Sequence, residues 1–128
     1  MNLERFRHYV VGIPEIDAEH WELCILLNEV AEGANKRDPK LLKELVINLS
    51  DRLKEHFVNE EKAMEDRDYP WLRPHKEDHQ RMLNAIDRFL GRTTDFGYTS
   101  TFFCSDLENL LIDHIDHQDR QYETFLAM

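Results

Sequence analysis

Apolar residues recur at steps of three and four along most of this chain, the period of one buried face of an α-helix. After His20 the first stripe runs Leu23, Leu27, Val30 and Ala34. The second runs Leu42, Val46, Leu49 and Leu53, and its continuation falls on His56, Glu60 and Met64. The third reads Leu72, His75, His79, Met82, Ile86 and Phe89, and the last Phe103, Leu107, Leu110, Leu111, Ile115, Tyr122 and Leu126. Breakers separate them. Asp17 reads as an N-cap with Ile16 and Trp21 as a hydrophobic staple, and Asp38-Pro39 as a cap followed by proline at the first helical position. Asp66, Asp68 and Pro70 end the second segment, Gly91 ends the third, and Thr93, Thr94, Asp95 and Gly97 make a polar connection to the last. The pattern predicts helices at about 17–35, 39–66, 71–90 and 99–126, after an irregular N-terminal arm over 1–16 whose Phe6 and Tyr9 are placed to pack on the helix ends. Four amphipathic helices with short connections imply an all-α fold, an antiparallel up-down-up-down four-helix bundle forming a single domain over 1–128.

Composition narrows the functional classes. A formal net charge of -10, without any basic run, argues against nucleic acid and anionic membrane as partners. No segment reaches eighteen apolar residues, and Met1 to Tyr9 carries charges in place of an apolar signal core, so the expected location is the cytoplasm. The two cysteines, Cys24 and Cys104, stand far apart and read as small core residues of a reducing compartment.

The chemistry lies in what occupies the core positions. His56/Glu60 and His75/His79 are each four apart, so each pair faces one way on its helix, about one turn apart. Both pairs sit where the stripes demand apolar residues, and His20 opens the first stripe in the same manner. Buried carboxylates and imidazoles are costly unless paired or bound to a metal. In an antiparallel bundle the start of helix one, the end of helix two, the start of helix three and the end of helix four meet. A further ligand is therefore expected within 110–119, where His114, His117 and Asp119 stand.

The run Ile16-Asp17-Ala18-Glu19-His20, then His56-Phe57-x-x-Glu60-Glu61, His75-x-x-x-His79 and His114-Ile115-x-x-x-Asp119, resembles the hemerythrins, specifically the single-domain bacterial members, over nearly the whole chain. The resemblance implies two iron ions, a di-iron centre with an oxo or hydroxo bridge. His75, His79 and His114 would hold one iron, His20 and His56 the other, and Glu60 and Asp119 would bridge them. The vacancy on the second iron would take O2, reduced reversibly to a bound peroxide that receives the bridge proton. Phe57, Leu110, Leu111 and Leu23 fall around that position as an O2 pocket. Bacterial members commonly carry tryptophan where this chain has Leu110, which implies a roomier, wetter pocket. The family pattern leaves His117 unliganded, and it is expected at the surface with Glu61 and His8. His114 and Asp119 are five apart, about 140° around a regular helix, so the last helix is expected to be unwound or bulged between them.

The function this implies is O2 binding without catalysis, as carrier, store or sensor, with nitric oxide or another small molecule as an alternative ligand. A di-iron oxidase, peroxidase or nitric oxide-handling enzyme is the first rival, and weak activity of that kind is compatible with the site. Ferritin-like oxidases use Glu-x-x-His motifs, and none occurs in this sequence. A gas- or iron-sensing module acting through a partner is the second rival. A structural zinc bundle fits poorly, since such sites favour four closed ligands.

Overall fold

The computed structural model describes residue 10 and residues 12–36, 38–91 and 96–128, with residues 39 and 96–104 described by their backbone alone. Helix α1 spans Pro14–Asn35, α2 Pro39–Asp66, α3 Leu72–Gly91 and α4 Phe96–His114. A five-residue π-helical turn, Ile115–Asp119, joins α4 to α5, Arg120–Ala127, which completes the fourth arm. Each helix packs on its neighbour in the chain, and α4 packs back on α1, closing a four-helix bundle. Among the described residues there is no strand, and no helix is long and apolar enough to cross a membrane.

The core follows the stripes. Leu42, Val46, Leu49, Leu53 and Met64 of α2 are at most 1% exposed, and Leu23, Leu27, Val30, Met82, Ile86, Phe89, Leu107, Leu111, Ile115 and Tyr122 are buried with them. Each such side chain contributes roughly 1.5–3 kcal/mol by leaving water. Cys24 is buried in the same core, whereas the side chains of Cys104 and Phe103 lie outside the described residues, as do Phe6, His8 and Tyr9. At Gly33 a Cβ would meet Leu45 Cδ1 at 2.6 Å, so α1 and α2 approach closely there.

Several boundaries differ from the sequence expectation. Helix α1 begins at Pro14 with Ile13 as its cap residue, so Asp17 is not the N-cap and Ile16 and Trp21 do not form its staple. Proline at the first position presets the helical φ and lacks only an amide that would go unbonded there. Asp17 instead accepts a hydrogen bond from the Gly12 amide at 3.2 Å, and Ile16 turns into the core. The Asp38 cap is as expected, its carboxylate accepting from the Leu41 amide at 3.2 Å. After α2, Asp68 takes a left-handed φ of 53°, a conformation that aspartate tolerates better than most residues, and the chain reverses into α3. Helix α4 starts at Phe96 and takes in Gly97, which was expected in a connection. At the far end Leu126 is exposed instead of buried, and Phe125 packs on the core in its place, 5.0 Å from the Tyr69 ring.

Candidate metal centre

The seven residues expected as ligands, His20, His56, Glu60, His75, His79, His114 and Asp119, are buried together at one end of the bundle. His20 comes from the first half of α1, His56 and Glu60 from the second half of α2, His75 and His79 from the first half of α3. His114 precedes the π turn and Asp119 closes it. The meeting of helix starts with helix ends makes the bundle antiparallel. The turn also resolves the five-residue spacing. Its i→i+5 bonding lets residues five apart stack where a regular helix would set them about 140° apart.

The ligand-type atoms fall into two overlapping groups, within each of which they lie no more than 4.8 Å apart. One comprises Glu60, His75, His79, His114 and Asp119, the other His20, His56, Glu60 and Asp119. The two carboxylates belong to both groups, and each divides its oxygens between them. Glu60 Oε1 lies 2.5 Å from His75 Nε2 and 3.1 Å from His79 Nε2, while its Oε2 lies 3.2 Å from His56 Nε2. Asp119 Oδ1 lies 3.0 Å from His75 Nε2 and 3.1 Å from His114 Nε2, while its Oδ2 lies 3.1 Å from His20 Nε2. One group therefore has three imidazoles and the other two.

This packing is one that protein groups satisfy poorly by themselves. Both Asp119 oxygens and Glu60 Oε2 are buried without a well-directed hydrogen bond among the described residues, and His79 Nε2 and His114 Nε2 face each other at 3.1 Å. Converging bare nitrogens and carboxylate oxygens are the donor set of a borderline transition metal. The residues present fit a cation.

Electrostatics without a metal point the same way. Burial pushes the Glu60 carboxyl up, but the four imidazoles around it hold it well below the ordinary carboxylate range. Burial and the neighbouring Glu60 charge push Asp119 up, and His114 and His20 bring it far below its usual value. Burial lowers the His56 imidazole, yet Glu19 and Glu60 outweigh that and raise it to about 10. His75 and His114 are also raised against burial, the first by Asp119 and Glu60, the second chiefly by Asp119. His79 is lowered by burial, with the charges of His114 and His75 adding to it.

Of the expected pocket residues, Phe57 is buried and stacks on His79, with ring centroids 3.8 Å apart and planes 9° apart. Its ring is also 5.8 Å from that of His56 and 6.0 Å from that of His114. Leu23 and Leu111 are buried, and Leu110 is half-buried. Leu23 is the single apolar residue lining a cleft of about 40 Å³ beside His56, whose other walls are Glu19, Glu22, Arg52 and Glu55. His117 is at the surface as expected, its Nδ1–H donating to the Asp113 carbonyl at 2.9 Å. Glu61 is not. It is half-buried, because its carboxylate accepts from His79 Nδ1 at 2.7 Å. Two further carboxylates were missed by the sequence reading, Glu19 on His56 Nδ1 and Asp78 on His114 Nδ1 at 2.6 Å. The signal available was adjacency, since each of the three neighbours a core histidine or Glu60 in the sequence.

Residues 11–126 match the family model described as the Hemerythrin HHE cation binding domain. The chain belongs to the hemerythrin family. It is similar to the bacteriohemerythrin of Ralstonia nicotianae, 27% identical over 118 residues that cover 91% of this chain and 83% of that protein. The bacteriohemerythrins of Pseudomonas aeruginosa and Stenotrophomonas maltophilia are each 25% identical, over 87% and 88% of this chain and 72% and 73% of their own lengths. No solved structure gives a significant match.

Proposed function

We propose that the chain binds O2 reversibly at a pair of iron ions, one held by His75, His79 and His114, the other by His20 and His56, with Glu60 and Asp119 bridging. The observation that carries this is the division of both carboxylates between a three-imidazole group and a two-imidazole group. Carboxylates that belong to both groups would suit the holding of two cations, and the group with two imidazoles would leave its ion one protein ligand short, where a small molecule would enter. Imidazole with carboxylate suits iron. When bound, the metal pair supplies the two electrons that O2 takes up on binding.

The chain's own residues would do the rest. Phe57, packed flat on His79 and near His56 and His114, walls the centre with apolar surface, and Leu23 and Leu111 extend it. Exclusion of water preserves a reversible complex by denying protons to the bound ligand. Carrier, store and sensor roles share this chemistry. One observation favours a second reading, weak oxidase or peroxidase turnover: the cleft beside His56 is charged on every side except Leu23, and through it water would reach the neighbourhood of the two-imidazole group.

The test is anaerobic loading with ferrous ion, followed by cycles of O2 addition and removal with the absorption spectrum recorded. The expected outcome is two irons per chain and a charge-transfer band that appears with O2 and vanishes on degassing. A band that collapses at once to a stable ferric spectrum, with hydrogen peroxide released, would replace binding by the oxidase reading.

A further inference from the structure

Three carboxylates outside the proposed ligand set stand behind it in one repeated arrangement. Glu19, on α1 next to His20, pairs with Nδ1 of His56 on α2. Glu61, on α2 next to Glu60, takes Nδ1 of His79 on α3 at 2.7 Å. Asp78, on α3 next to His79, takes Nδ1 of His114 at the end of α4 at 2.6 Å. Each carboxylate thus adjoins an inward-facing residue of its own helix and grips the outer nitrogen of a histidine on the next helix. A chance surface ion pair would occur once; the same relation occurs at all three successive helix seams.

From this geometry we infer that Glu19, Glu61 and Asp78 form a belt of positioning residues that aims three Nε2 atoms inward before any metal arrives, with Glu19 serving the two-imidazole ion and Glu61 and Asp78 the three-imidazole ion. The inference rests on the ligand assignment proposed above. An ionised carboxylate can only accept, so its histidine must carry a proton on Nδ1, which leaves Nε2 as the nitrogen that can give up its proton and ligate. Two of the carboxylates are themselves held. Asn59 Nδ2 donates to Glu19 at 3.4 Å and Arg81 Nη1 to Asp78 at 3.0 Å. His75 stands outside the belt. Its Nδ1 is buried without a hydrogen-bond partner among the described residues, and the ring is wedged edge-on between His79 and His114, at 4.5 and 4.7 Å.

The experiment loads the full chain anaerobically with ferrous ion, adds excess chelator and follows release. In Glu19→Gln one of the two ions is expected to leave about 10–100-fold faster than in the parent protein, the other at the parent rate. Glu61→Gln and Asp78→Asn should each also speed one ion. Combining those two should still speed only one, whereas Glu19→Gln with Asp78→Asn should speed both. Glu19→Asp, which keeps the charge, should recover part of the loss. Parent-like release in all three single variants overturns the belt, as does equal acceleration of both ions in each of them, the mark of general loosening. If the parent chain does not take up two ions, it is the ligand assignment that fails. The belt is then read in the metal-free protein from downfield Nδ1–H proton resonances of His56, His79 and His114, each expected to vanish only in its own variant. Their absence from the parent overturns it. If one variant does not fold, the other two carry the same test.

Discussion

At the scale of single residues, the centre depends on where one polar or apolar atom is placed. Leu23 separates the charged cleft from the core and is 2% exposed. Leu23→Ala should destabilise the protein by about 2–5 kcal/mol, the usual span for a buried leucine cut to alanine. By the proposed function it should also shorten the life of the O2 complex, because the one apolar wall of the cleft is removed. Urea denaturation reads the first effect and decay of the charge-transfer band the second. An unchanged lifetime in a destabilised variant would remove the cleft from the O2 chemistry. His20, His56, His75 and His79 were legible in the sequence because they stand on apolar stripes, whereas His114 was singled out by the family resemblance. Glu19, Glu61 and Asp78 were not, since they sit off those stripes among many solvated acids. Only distances to Nδ1 atoms separate them from the other carboxylates.

At the scale of elements, the fourth arm is the irregular one. A helix with two inward-facing groups five positions apart must either misdirect one of them or widen, and this chain widens over Ile115–Asp119. The turn behaves as one extra residue accommodated within an α-helix. Deleting His117, an exposed residue whose side chain bonds only the Asp113 carbonyl among the described contacts, would bring His114 and Asp119 to a spacing of four. The expected result is a regular helix that keeps Tyr122 buried, with stability changed by no more than about 1 kcal/mol. Inserting one alanine after Ile112 rotates everything beyond it by about 100° and should unfold the chain. Circular dichroism with urea midpoints checks both. Collapse of the deletion variant would mean that the wide turn is itself required for folding. The spacing of five made a bulge legible beforehand. The start of α1 was not, because Asp17 is a plausible cap by residue type, and only the backbone bond from the Asp17 amide to the Ile13 carbonyl shows that the first turn opens at Pro14.

At the scale of the whole molecule, the metal-free protein concentrates charge in its core, and its stability must follow pH accordingly. Glu60 and Asp119 are held below their ordinary values of 4.5 and 3.8, so the stability they lend is present above those values and is lost as pH falls toward their folded ones. His56 is raised from 6.5 to about 10, and His75 and His114 are raised too. Their contribution is present in full below 6.5 and is lost as pH rises through the folded values, for His56 near pH 10. His79, lowered, opposes them on a smaller count of groups. The metal-free protein should therefore be most stable between about pH 4.5 and 6.5, with losses on both sides. Metal requires neutral imidazoles, so loading should release protons and move the optimum upward. Urea midpoints across the pH range, with and without metal, test this. A metal-free protein most stable above pH 8 would show that the histidines are not charged in its core.

The sequence alone determined the helical class, the four stripes and the five polar residues that lie on them, His20, His56, Glu60, His75 and His79, because a period of 3.6 exposes every residue out of keeping with its face; His114 and Asp119 came from the family resemblance. It also determined that these residues gather at one end, since short connections force neighbouring helices to run antiparallel. Only the tertiary structure decided which oxygen of Glu60 and Asp119 faces which imidazole, and so that the seven form two groups sharing two carboxylates. It likewise decided which three acids hold the histidines from behind. The physical reason is range. Periodicity reports the environment of a residue on its own helix, whereas a bond between side chains depends on the rotation and approach of two helices, and no single stripe encodes either.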